Sequence, residues 1–149
     1  MADAMLAYRK NDSQSVDLAL INAGGVRATI DEGPITRGEV LTSFPFGNAI
    51  VELELTGDEL WTVFEGIVTG VNQKNQKTVT SFFQISKGTK VEYNPSNSNG
   101  TKLVSVSING QALDRKEKYT VVTLDFLAGG KLCPSPCYFC LTNEPCRRR

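Results

Sequence analysis

The stretch Asp17-Leu18-Ala19-Leu20-Ile21-Asn22-Ala23-Gly24-Gly25-Val26-Arg27 leaves this chain few ways to fold. A short apolar run ends in Asn, two glycines and an arginine. The run reads as a buried strand over 16–21. The glycines allow a tight turn or a close backbone approach. Arg27 then stands at the strand's exit, where a guanidinium fork suits a phosphate or a carboxylate. By residue type alone, a surface arginine paired with a nearby acid explains the same pattern.

The 149 residues suffice for one domain with a core of its own, and 40% hydrophobic with 21% charged residues is ordinary for a globular protein. Sixteen basic residues balance sixteen acidic ones, so no net charge draws the chain to nucleic acid or an anionic membrane. No apolar run is long enough to span a bilayer. The start, Met1 to Leu6, carries Asp3 and lacks a basic region followed by a long apolar one, unlike a signal peptide. There is no histidine. A Ser-His-Asp triad, a Cys-His dyad and a His-based metal centre are therefore excluded within the chain. All four cysteines, Cys133, Cys137, Cys140 and Cys146, fall in the last 17 residues, which is a break in composition.

Ala2 to Arg9 is helix-like. Thr36-Arg37-Gly38-Glu39 and Thr56-Gly57-Asp58-Glu59 are two capping boxes. The first predicts a short helix ending near Ser43. The second opens a helix in which Leu60, Val63, Phe64 and Ile67 recur at helical spacing. Ile50 to Leu55 alternates as a half-exposed strand. Val71 to Thr80 reads as a polar loop. Phe82 to Tyr93 reads as strand, interrupted at Lys87-Gly88. Leu103 to Ile108 alternates and runs into the hairpin signal Asn109-Gly110, with a return strand expected from Leu113. Tyr119 to Leu124 is another β-branched run. Phe44-Pro45-Phe46-Gly47-Asn48 and Phe126-Leu127-Ala128-Gly129-Gly130 read as aromatic-glycine loops. Helices and strands alternate early and strands gather late, which favours an α+β fold with a mixed sheet.

Taken in order, the loops 22–27, 44–48 and 126–130, together with Pro34-Ile35-Thr36, the strand–helix pair from Leu53 to Phe64, and Gln84-Ile85-Ser86, resemble the C-terminal domain of the 5'-nucleotidase family. The likeness covers roughly residues 2–130. It implies the substrate-binding half of a two-domain hydrolase of nucleotide catabolism. In such enzymes a metallophosphoesterase domain in cis holds two divalent metals and hydrolyses the phosphoester, so this chain is expected to carry no metal and no catalytic residue and to be inactive alone. Family members are usually secreted, cell-surface or periplasmic. The resemblance gives Arg27 the substrate phosphate and places Asn22 near the base or ribose. It sandwiches the base between Phe46 and Phe126, and sets Gly24 and Gly25 as backbone beside the site. From the residues themselves, Asn22 also suits an Asx turn, and both phenylalanines also suit a core. Phe44 reads as core.

The pattern departs after Gly130. The family carries a ribose-binding Asp six residues beyond the second phenylalanine, where this chain has Leu132. Residues 1–130 are therefore read as a partial domain, incomplete at its C-terminus. Residues 131–149 are read as a divergent, disordered Cys-rich tail, foreign to the fold. Its spacing, C-x3-C-x2-C-x5-C, leaves little room for a zinc knuckle. A stand-alone nucleotide-binding module, or a zinc-dependent interaction module, is the alternative. Asn11-Asp12-Ser13 and Asn99-Gly100-Thr101 are N-glycosylation sequons, relevant if a longer form is secreted.

Overall fold

The computed structural model describes residues 1–11, 15–71, 78 and 82–129. The cysteine tail, most of the loop after Val71 and the segment 12–14 lie outside these described residues.

The apolar run becomes β1 (Leu18–Asn22), buried along its whole length. It sits in a four-stranded sheet in the order β2-β7-β1-β3, with β2 at Ile50–Thr56, β3 at Phe83–Ile85 and β7 at Lys118–Leu124. β1 is parallel to β7 and antiparallel to β3, and β2 is antiparallel to β7. A second, antiparallel sheet holds β4 (Thr89–Tyr93), β5 (Leu103–Ile108) and β6 (Gln111–Ala112). The mixed α+β architecture expected from the order of elements is present.

The strand is apolar on consecutive positions because both of its faces are covered. Ala19 and Ile21 meet α1 (Ala2–Asn11) in a cluster with Met5, Leu6, Val122 and Leu124. Leu18 and Leu20 point the other way, into the main core beside Phe64, Val106, Val121 and Leu127.

Both capping boxes form. Thr36 caps α2 (Arg37–Ser43), and its backbone N–H donates to Glu39 Oε2 at 2.7 Å. Bonding to Thr36 holds the Glu39 carboxyl below its ordinary value. Thr56 caps α3 (Gly57–Thr69), with its N–H 2.8 Å from Glu59 Oε2. Leu60, Val63, Phe64 and Ile67 are all buried, as their spacing predicts. The helix stops at Gly70, whose φ of 67° is the left-handed conformation that suits glycine.

The first turn of α3 lies on the chain between β6 and β7. Gly57 N–H donates to Glu117 O and Asp58 N–H to Arg115 O, both at 2.9 Å. A Cβ on Gly57 would stand 2.0 Å from Asp114 O. Further along α3, Glu65 is 3% exposed. Its carboxylate accepts the N–H of Lys102 at 3.1 Å and of Leu103 at 2.7 Å, which anchors the start of β5.

Two expectations are corrected. The return strand of the hairpin begins at Gln111, directly after Asn109-Gly110, and not at Leu113. Asn109 at φ 52° and Gly110 at φ 84° make a two-residue turn, so pairing resumes at once. The segment from Phe126 to Ala128 is helical and not an open loop: Asp125–Ala128 forms α4, a single turn closed by Gly129 N–H on Asp125 O at 2.8 Å.

Candidate functional site

The parallel strands β1 and β7 pair at only two positions, Leu18 with Val121 and Ala19 with Val122. One residue on, the buried Thr123 hydroxyl donates to Leu20 O at 2.7 Å in place of a ladder bond. Beyond it the strand ends part and each feeds a turn. The C-terminal ends of parallel strands are where α/β sheets form ligand crevices. Replacing Thr123 by valine keeps the shape and leaves Leu20 O short of a donor. The expected cost is about 1–3 kcal/mol, measured by urea denaturation.

Backbone hydrogen bonds gather three loops at this point. The first follows β1, where Ala23–Gly25 makes a 3-10 turn closed by Val26 N–H on Ala23 O at 3.0 Å. Gly24 and Gly25 are not among the residues with positive φ. Their use is therefore not a left-handed turn, and a Cβ at Gly25 would meet Asn22 Oδ1 at 3.5 Å, an ordinary contact. Arg27 N–H donates to Ser43 O at 2.8 Å, tying this loop to the end of α2. The chain then runs through the aromatic loop 44–48. Asp125 N–H donates to Ala49 O at 2.9 Å, tying that loop to the start of α4.

A cavity of about 130 Å³ opens between these loops, lined by Asn22, Gly25, Phe44, Phe46, Asn48 and Leu124 among others. Asn22 is 6% exposed, and its side chain makes no cap to the turn that follows. The Asx-turn alternative for Asn22 is thus not what the structure adopts. Phe46 is 54% exposed, an apolar ring open to solvent at the cavity's edge. Phe44 is half-buried and lines the cavity as well, so it is not purely a core residue. Arg27 is exposed, with one guanidinium nitrogen 3.4 Å from Gly24 O.

Phe126 stands apart. It does not line this cavity. It is partly buried against the main core, beside the fully buried Leu127. The structure therefore brings Asn22, Gly25 and Phe46 together, with Arg27 exposed on the same loop, and packs Phe126 against the main core instead. Sequence reasoning misses Asn48 and Leu124 as cavity walls. A polar residue directly after Phe46-Gly47 is the available signal for Asn48; Leu124 looks like any strand end. Among the described residues no group of three His, Cys, Asp or Glu side chains is placed to hold a metal ion, and no helix is long and apolar enough to cross a membrane.

Residues 1–133 match the family described as 5'-nucleotidase, C-terminal domain. An apyrase of Tabanus yao is 34% identical over 128 residues, which cover 77% of this chain and 22% of the apyrase. The NAD 5'-nucleotidase of Haemophilus influenzae is 32% identical over 128 residues, covering 81% of this chain and 21% of that protein. Among solved structures, the 5'-nucleotidase precursor from Thermus thermophilus aligns with a TM-score of 0.69 at 32% identity, over 87% of this chain and 25% of that one. The chain thus spans about a quarter or less of the length of these relatives. With its fold, its three gathered loops and a match over residues 1–133, the chain belongs to the 5'-nucleotidase family as a C-terminal domain.

Proposed function

We propose that this domain binds the nucleotide substrate of a 5'-nucleotidase-type hydrolase. Arg27 grips the phosphate, Asn22 reads the base or ribose, and Phe46 stacks on the base. Gly24 and Gly25 let the backbone come close. The observation that carries this reading is the exposed ring of Phe46 over the same small cavity as the buried amide of Asn22. An aromatic face open to solvent suits a π-stacked base, and a side-chain amide both donates and accepts. Phe126 is the second wall of the base site, which requires its ring to turn out from the core when nucleotide enters.

The cavity is well below the ~300–1,000 Å³ of a complete small-molecule pocket. That size suits a half-site closed by a second domain. In this reading a metallophosphoesterase domain in cis carries two divalent metals, and a metal-activated water on it attacks the phosphoester. Residues 1–130 form the binding unit, with 131–149 as a separate tail.

Calorimetric titration of AMP and adenosine into the full chain tests the proposal. Phe46→Ala is expected to weaken both ligands by about 1–3 kcal/mol, the worth of one stacked base. Arg27→Ala should weaken AMP and leave adenosine unchanged. Equal binding of both ligands by the parent chain and both variants would remove the assignment. Phosphate release from AMP by this chain with added divalent metal would remove the division of labour.

A further inference from the structure

We propose that Asn99 is an N-glycan acceptor and that Asn11, the other sequon asparagine, is not. This inference is independent of the nucleotide site. Asn99-Gly100-Thr101 sits in the loop between β4 and β5, where every residue from 94 to 101 is exposed. The loop is stapled by its own polar groups. Asn94 Oδ1 accepts Ser96 N–H at 3.0 Å, Asn97 Nδ2 donates to Thr101 O at 3.0 Å, and the Thr101 hydroxyl donates to Ser98 O at 3.0 Å. Asn99 is the one loop asparagine whose side chain takes no part in these bonds. Gly100, at φ 92°, makes the turn in which Asn99 stands at the tip. An Asn side chain without a structural task, in a turn and with Thr two residues on, is what a transferase needs to reach and what a folded domain can carry as a glycan.

Asn11 is exposed as well, but it differs in its place and in its sequon. It is the last residue of α1, its sequon has Ser in place of Thr, and an acidic residue stands between them.

The chemistry is a group transfer. The Asn99 side-chain nitrogen attacks the anomeric carbon of an oligosaccharide carried on a polyprenyl pyrophosphate. A C–N bond forms, the C–O bond to the pyrophosphate breaks, and the nitrogen gives up one proton as the lipid pyrophosphate leaves. None of the residues lining the cavity at Asn22 and Phe46 belongs to this loop.

The test expresses the full chain behind a cleavable leader in a eukaryotic secretory host. Intact mass is compared before and after an amidase that removes N-glycans. The digestion is run in ¹⁸O-water beside an arm without enzyme, which separates enzymatic release from spontaneous loss of the amide beside Gly100, before or during the incubation. The glycan is added before folding is complete, so the cell-retained fraction is mapped as well as the medium. One glycan is expected, at Asn99, abolished in N99Q and in T101A and kept in N11Q. An unmodified Asn99 in both fractions, or a glycan on Asn11 with or without one on Asn99, overturns the proposal.

Discussion

Replacing Gly57 by alanine is expected to destabilise the domain by about 3 kcal/mol or more, the upper end for inserting a methyl group into a packed site. The added Cβ would stand 2.0 Å from Asp114 O, 2.8 Å from its carbonyl carbon and 2.9 Å from Arg115 Cα. All three are backbone atoms, so no side chain can swing aside. Relief requires parting the first turn of α3 from the chain ahead of β7. That breaks the bonds of Gly57 N–H to Glu117 O and Asp58 N–H to Arg115 O. It also loosens Arg115, which lies 4.2 Å from the centroid of the Trp61 ring. Alanine at Gly47, which has nothing within 4 Å of the built Cβ, provides the contrast and should move the urea midpoint little. A Gly57→Ala chain with the parent's midpoint would show that the contact is not as close as described.

The second large effect is expected at Glu65. Its carboxylate is 3% exposed and receives two backbone N–H groups from the start of β5. Hydrogen bonds to a charged acceptor are the stronger kind. Removing the acceptor leaves the buried Leu103 N–H without this partner, at about 1–3 kcal/mol, and the half-buried Lys102 N–H at less. Glu65→Ala should therefore cost about 3 kcal/mol or more by urea denaturation, with a cavity adding to it. Glu65→Gln keeps one accepting oxygen and turns an NH₂ toward the other donor, so it should fall between alanine and the parent. Hydrogen exchange offers a separate readout: the Lys102 and Leu103 amides should lose protection in Glu65→Ala before the centre of β5 does. Unchanged protection there would sink the anchoring role.

The two capping boxes and the apolar run at Leu18 to Ile21 are readable because their signals are local: three or four residues carry the whole argument. The tight hairpin at Asn109-Gly110 is readable for the same reason. What the chain order conceals depends on distant partners. Glu65 looks like one more polar residue on a helix, and only its position opposite Lys102 and Leu103 makes it a buried anchor. Gly57 looks like an indifferent member of a capping box until Asp114 is seen against it. The segment at Phe126 reads as a loop because Gly129-Gly130 follows it, yet a single helical turn forms first and turns Phe126 toward the core. The candidate site is legible in part. Asn22 and Phe46 carry chemistry in their residue types, and the structure brings them to one cavity. The bond from Arg27 N–H to Ser43 O that draws their loops together leaves no trace in the sequence.

Ala19 and Ile21 belong to one apolar cluster and Leu18 and Leu20 to the other, all on one five-residue strand. The two clusters therefore share a party wall. Losing α1 wets one side of β1 and losing the main core wets the other, so loss of either cluster is expected to weaken the other. A chain of this length with two separate cores could come apart in stages. Here the shared wall is the strand whose last residue, Asn22, lines the cavity. Disturbance of the fold from either side therefore reaches the candidate site in one step.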